Sequence, residues 1–522
     1  MAGHFKNPAY SQKFPDRPQF SGFMKPCRFQ GEVSNLEVEG SIPPEIDGTF
    51  YRVMPDPQFV PLVENDPWFN GDGNVSAFRI KDGRCDFKQR YVHTEKFVRE
   101  REAKRALMGR STTYEARFLI PSSAGHVTHH TIFAWTPKKK GKYRNKYTDA
   151  VEFKVRSTAN TNVLYFNGRL LACKEDSPPY SMNPDTLETT GLDTFDGQLP
   201  SLTFTAHPKL DVHTKELICF GYEARGDGTP DVCYFTFDKT GAIVETVWLV
   251  APVVAMIHDF AVTENWTCDL ERLKNGGEHW QWNPDIPFYV GVLPRRGAKA
   301  SDVKWFKAPN SFPGHTVNAY EDESGKIVFD LPLTNKNVFF WWPDAQGNSP
   351  DPKEIAAQLV RFTFDPRSDA LDLPAAEVLC RLDCEFPRVD DRFSMGRHTR
   401  AVFDMMDPAL PTDMPAIMRV WGGGHPLYNC LGHLDYATGR LDRYFPGPTH
   451  LVQEPVVIPR SADAPECDGW VLVLVNNYST MSSELHIVDT RDFSKPQAIV
   501  YLPVRLRAGL HGNWVDAEDL KG

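Results

Sequence analysis

The 522-residue sequence contains no long apolar run. Its most hydrophobic stretch, 247–257 (VWLVAPVVAMI), is half the length of a membrane-crossing helix, which needs about twenty apolar residues. It reads instead as a buried strand. The N-terminal MAGHFKNP lacks the apolar segment of a secretory signal. Cysteines number ten, but none form a CxxC pair; Cys380 and Cys384 are the closest and have no second pair beside them. Scattered thiols without an export signal imply reduced, buried cysteines and a cytoplasmic protein. The sequons at Asn74, Asn265 and Asn477 are then expected to stay unmodified. Basic excess is absent too: a net charge of −10 excludes the electrostatic footprint of a nucleic-acid binder. The one basic run, 138–146, reads as a solvated loop. Helical periodicity is scarce and confined to 94–107, with Thr94 as a cap, and to 352–357.

What is present is a soluble composition, 41% hydrophobic and 24% charged, with 34 Phe and more Pro (42) than Gly (36). At about 150 residues per domain, the length alone suggests three or four domains. Strand-like alternation bounded by turn residues recurs at 217–222, 233–237, 242–250, 327–331, 359–364, 416–421, 470–475 and 498–504. A weak repeat, strand–Asp–turn–strand, marks Asp185, Asp238, Asp365, Asp435 and Asp489. Its spacing suits one or two propeller blades per interval. Hairpin chemistry alone also produces Asp-turns. The fold expected is all-β, a single propeller domain spanning 1–522.

Among the 16 histidines, four end apolar or Gly-bearing segments: His207 (FTAHPKLD), His258 (MIHDF), His315 (FPGHTVN) and His511 (GLHGNW). They lie 51, 57 and 196 residues apart. Metal ligands on one helix or hairpin would lie within about five residues. Ligands supplied one per blade would be spread like these, and so would ordinary structural histidines.

The words around them narrow the choice. The chain resembles the carotenoid cleavage oxygenase family through FNGDG (69–73), ANTNV (159–163), GRLLACKE (168–175), CEFPRVD (384–390), QEPVVIPR (453–460) and the four histidine contexts, all in order. The resemblance implies a seven-bladed β-propeller with a helical cap, formed by insertions that include roughly 94–150, and a non-haem Fe(II) held by His207, His258, His315 and His511. It also assigns Glu175, Glu385 and Glu454 to hold the far ring nitrogens of those ligands. Asn70 stands where the family has Asp.

Family members cleave alkenes in carotenoids, apocarotenoids or stilbenes with O2. Two features point to stilbenes. Lys174 precedes Glu175 in an apolar strand-like segment, where a lysine needs a partner. Tyr143, in GKYRNKYTD, matches the tyrosine that the stilbene-cleaving branch offers to a phenol. The implied reaction has Tyr143 and Lys174 bind a 4-hydroxystilbene and favour its phenolate. Electron density then moves to the central alkene, which is cleaved to two aromatic aldehydes. Phenylalanines would line the slot. The segment 95–107 is too charged to enter a membrane, favouring a soluble hydroxylated substrate. The alternatives are an apocarotenoid-cleaving dioxygenase and a propeller that binds without catalysis.

Overall fold

The computed structural model describes residues 13–62, 64, 66–107, 143–144, 152–153, 157–226, 229–254, 256–262, 266–271, 282–338, 348, 350–351, 354–423 and 425–521. The basic run 138–142, His129, His130, His279 and Asn265 lie outside them.

The architecture is an all-β propeller. Among the described residues there are seven antiparallel sheets of four or five strands and one two-stranded ribbon, Tyr143–Arg144 against Glu152–Phe153. Strand chemistry follows position in the sheet. Asp231–Phe237, a middle strand covered on both faces, reads as a near-continuous apolar run. Its outer neighbour Ile243–Val250 alternates less and more exposed residues, as an edge strand should.

The sheets close into a ring because each shares an apolar cluster with the next. Val53, Val75, Val163 and Leu170 join the first sheet to the second. Leu171 and Cys219 lie in the next cluster, and Phe220 and Phe260 in the one after. Val290 and Phe329, then Leu359 and Phe403, then Leu431 and Val473 continue the series. Phe50, Ile80, Leu472 and Ile487 pack the last sheet against the first. Pairing also ties the two ends of the chain, since Gly48–Pro55 pairs with Gly512–Asp516 and Val38–Gly40 with Ala498–Tyr501. Among the described residues the sheets form one closed circuit of cores, where length alone suggested three or four domains. Most buried phenylalanines, such as Phe78, Phe87, Phe235 and Phe329, sit in these clusters, each burial contributing about 2–3 kcal/mol. The aromatic excess is therefore mainly core, a correction to the expected slot lining.

The weak Asp repeat has a structural meaning. Four of the five aspartates stand at the turn between the two outer strands of their sheets. Asp489 stands at the corresponding turn before Ala498–Tyr501, outside which Val38–Gly40 adds a strand. Asp238 accepts from Thr240 N at 2.8 Å. The longest interval, Asp238 to Asp365, contains one further sheet, 260–308, whose outer turn lacks the signature.

Two expectations are overturned. The segment 416–421, read as strand, falls in the helix Met414–Val420 and its C-cap, Trp421. Asp413 caps it by accepting from Ala416 N, and Pro415 stands in its first turn; these local signals outweigh the Ile and Val that suggested a strand. Of the segment 352–357, read as helix, 352–353 lie outside the described residues, Glu354 is in a 3-10 turn, and 355–357 are irregular rather than helical. The other helix is as expected: Glu95–Ala103, capped by Thr94, whose hydroxyl accepts from Phe97 N at 3.1 Å. Within the proposed cap this is the only described α-helix.

Candidate metal centre

His207, His258, His315 and His511 come from four different sheets, each in a loop just before or within the innermost strands. Their donor atoms lie within 4.8 Å of one another. His258 Nε2 is 3.2 Å from His207 Nε2 and 3.1 Å from His315 Nε2. His511 Nε2 is buried and has no hydrogen-bond partner among the described residues. The histidines that spacing alone left undecided are therefore one constellation.

The remaining three sheets supply the carboxylates. Glu175 Oε1 pairs with His258 Nδ1, Glu385 Oε2 lies 2.7 Å from His315 Nδ1, and Glu454 Oε1 lies 2.9 Å from His511 Nδ1. Each carboxylate orients its imidazole and leaves Nε2 facing the centre. Glu385 and Glu454 reach inward because both strands are irregular there. Register shifts between Glu385 and Arg388, and between Val452 and Pro455, re-aim the side chains as bulges do. Phe386 occupies the left-handed region at φ 50°, and its ring stacks on His315 at 5.2 Å.

Several supporting residues were not found by sequence reasoning. Tyr222 donates to Glu175 Oε2 at 2.9 Å. Arg388 Nε stands 3.3 Å from Glu454 Oε1, and the same guanidinium donates to Gly512 O. Asp259 stitches three histidine loops together. Its Oδ1 accepts from Lys209 Nζ at 2.6 Å, and its Oδ2 accepts from Thr316 N at 2.8 Å. Arg388 stood inside a quoted motif, and Asp259 stood beside His258, but pattern alone did not say where either would point.

Electrostatics favour the neutral ring at two of the four histidines, His207 and His511. Burial, then the neighbouring imidazoles, hold His207 well below the ordinary histidine range. Burial lowers His511 to about 4. Burial would raise Glu454, but Arg388 and His511 outweigh it and set it at about 2. For His315, burial is outweighed by Glu385, which raises it. Four converging imidazole nitrogens, one of them orphaned, inside a ring of carboxylates fit a metal site of the kind imidazole favours.

Lys174 and Glu175 follow the strand Arg169–Cys173 and do not belong to it, so strand alternation does not set their directions. Hydrogen bonds do: Lys174 Nζ donates to Thr158 Oγ1 at 3.0 Å. Tyr143 is described by its backbone, paired with Phe153. Asn70 bonds Asp66 and is not among the residues at the centre. A cavity of about 310 Å³ reaches His207, His315 and His511 but is not lined by Lys174, Glu175 or His258.

The family described as RPE65, retinal pigment epithelial membrane protein, matches residues 24–516. The chain is 62% identical over 515 residues to resveratrol cleavage oxygenase 1 of Aspergillus fumigatus, covering 97% of each. It is 52% identical to carotenoid cleavage oxygenase 1 of Neurospora crassa, covering 98% of this chain and 94% of that one. Among solved structures it resembles the lignostilbene dioxygenase of Pseudomonas brassicacearum, with TM-score 0.86 and 42% identity, covering 97% of this chain and 100% of that one. With match, fold and histidine constellation in agreement, the chain belongs to the RPE65 family of carotenoid and stilbene cleavage oxygenases.

Proposed function

We propose that this chain is an Fe(II)-dependent dioxygenase that cleaves the central alkene of 4-hydroxystilbenes, using O2 to give two aromatic aldehydes. Both oxygen atoms of O2 are accounted for, one in each aldehyde. His207, His258, His315 and His511 would hold the iron, with Glu175, Glu385 and Glu454 fixing three of them. Iron bound there supplies the activation of dioxygen. The residues of the chain bind the phenol, orient the alkene and stabilise the ionised form of the substrate.

The observation that carries this reading is the place of Lys174. Its ammonium bonds Thr158, while the next residue, Glu175, holds His258. A cation one residue from the metal's supporting shell suits a substrate with an ionisable hydroxyl, which it would bind as phenolate. A purely hydrocarbon polyene gains nothing from it. Tyr143 is assigned the second contact to the phenol by family resemblance.

We read each multi-stranded sheet as one blade of a seven-bladed propeller, a count that the ring of shared clusters supports. A cytoplasmic location is supported by nine described cysteines, all free. Among the described residues no helix is long and apolar enough to cross a membrane.

A second reading, cleavage of a carotenoid-derived polyene such as an apocarotenoid, is suggested by the Neurospora relative, whose name speaks of carotenoid cleavage. Product analysis separates the two. The iron-loaded protein is incubated with resveratrol and, separately, with an apocarotenal. Aromatic aldehydes from resveratrol are expected. Cleavage of the apocarotenal alone would overturn the stilbene reading. Lys174→Ala is expected to retain iron and lose most activity on the phenol.

A further inference from the structure

Lysine carries its ammonium on a flexible four-carbon stem, so a lysine that must meet one phenol oxygen needs something to aim it. We propose that Thr158 is the positioning residue that aims Lys174. This inference rests on the reading of Lys174 given above.

Thr158 is buried, 4% exposed, and its hydroxyl oxygen accepts from Lys174 Nζ at 3.0 Å. An ammonium has three N–H donors, so a bond to Thr158 is compatible with another to a phenolate. The backbone of Thr158 is fixed from several sides. Gly73 N donates to Thr158 O at 2.8 Å. Ala159 N donates to Ser157 Oγ at 3.1 Å, and Asn160 Nδ2 donates to Phe69 O at 2.7 Å and to Gly71 O at 2.6 Å. Ala159 itself is held at φ 45°, a left-handed conformation that a non-glycine residue keeps only when its surroundings impose it.

These bonds give the FNGDG segment a purpose. It is the clamp that holds 157–160, and Gly73 is required where the two backbones meet. A Cβ there would lie 2.1 Å from Ala159 O and 2.8 Å from Thr158 O. Asp72, the residue before it, bonds Lys96 of the helix Glu95–Ala103 at 2.6 Å. One loop thus fastens both the helix and the threonine that aims the lysine.

The test compares wild type, Thr158→Val, Thr158→Ser, Lys174→Met and the double variant Thr158→Val/Lys174→Met. Each is read by iron content, Tm, steady-state kinetics on resveratrol, and anaerobic titration of the iron-loaded enzyme with resveratrol, followed by the phenolate absorbance. Val keeps the shape of Thr and removes the hydroxyl. Thr158→Val is expected to keep its iron and Tm, lose about tenfold in kcat/KM, and lose the phenolate signal, as fits the loss of a bond to a charged group. Thr158→Ser restores both. The double variant is no worse than Lys174→Met, because Thr158 acts through Lys174. Wild-type kinetics and absorbance in Thr158→Val, with Lys174→Met still impaired, overturn the positioning role and leave the proposed function standing. An unimpaired Lys174→Met overturns the phenolate reading and this inference with it. Should Thr158→Val lower Tm, Thr158→Ala, which adds no bulk, is read by the same titration with the same two outcomes.

Discussion

Glu385 grips His315 at two points: one carboxylate oxygen accepts from the His315 backbone N–H at 2.9 Å, and the other lies 2.7 Å from Nδ1. Glu454 holds the His511 segment similarly, through Nδ1 at 2.9 Å and the N–H of Gly512 at 2.8 Å. A two-point grip fixes both the ring and the backbone that carries it. Glutamine has one acceptor oxygen and must give up one of the two contacts. Glu385→Gln is therefore expected to weaken iron binding about 10- to 100-fold while the protein stays folded. Iron retained during titration with a chelator, measured alongside Tm, checks it. Unchanged retention would mean that the grip is dispensable.

Asp211 predicts how stability depends on pH. Burial would raise its carboxyl, but Arg295 and the N–H groups of His213 and Thr214 outweigh burial and lower it to about 2. The unfolded value is about 3.9. A depressed carboxylate contributes stability that is present above the unfolded value and lost as pH falls toward the folded one. Asp211→Asn should cost about 1–2 kcal/mol at pH 7, and the difference from wild type should close between pH 4 and 2. Denaturant unfolding at pH 7 and pH 3 measures both.

The close approach at Gly73 makes a steric prediction. Gly73→Ala places a methyl against two carbonyl oxygens of the strained 158–159 segment. Backbone must move, so a loss of about 1–3 kcal/mol is expected, with a larger fall in activity on a phenolic stilbene than in iron content. Calorimetry, metal analysis and turnover separate the three effects. Wild-type Tm and activity would show that the clamp has slack.

How far the sequence foretold all this depended on whether a role was local. The strand Leu217–Tyr222 was read with its observed bounds, because its apolar run and flanking turn residues are local signals. The four histidines of the centre were readable because each sits in a short family-like word, and their convergence follows once the ring closes. Lys174 and Glu175 were assigned to a strand because the apolar run before them does not announce its end at Cys173. The bulges that turn Glu385 and Glu454 inward leave no periodic trace, since one extra residue resets the alternation. Asp259 was invisible for another reason: its partners Lys209 and Thr316 lie 50 and 57 residues away and meet it only after three loops have assembled.

His433 lies in the core with neither ring nitrogen hydrogen-bonded among the described residues. It is 5% exposed, and its ring is 5.3 Å from that of Phe493. Burial, aided by Arg400, lowers it to about 4, against about 6.5 in the unfolded chain. The folded protein thus keeps this imidazole neutral, and the unfolded chain gains a proton as pH falls through 6.5. For a histidine with a lowered folded value, stability is lost as pH falls from the unfolded value toward the folded one. Leucine, similar in bulk and without polar atoms, removes both the unpaired nitrogens and the titration. His433→Leu is expected to stabilise by about 1–2 kcal/mol at pH 7, since an unsatisfied buried polar group costs that much. The gain should grow by about 1–2 kcal/mol at pH 5. Denaturant midpoints at the two pH values decide it: a gain of equal size at both would rule out titration of His433, and a loss at both would mean that its ring nitrogens are satisfied in solution.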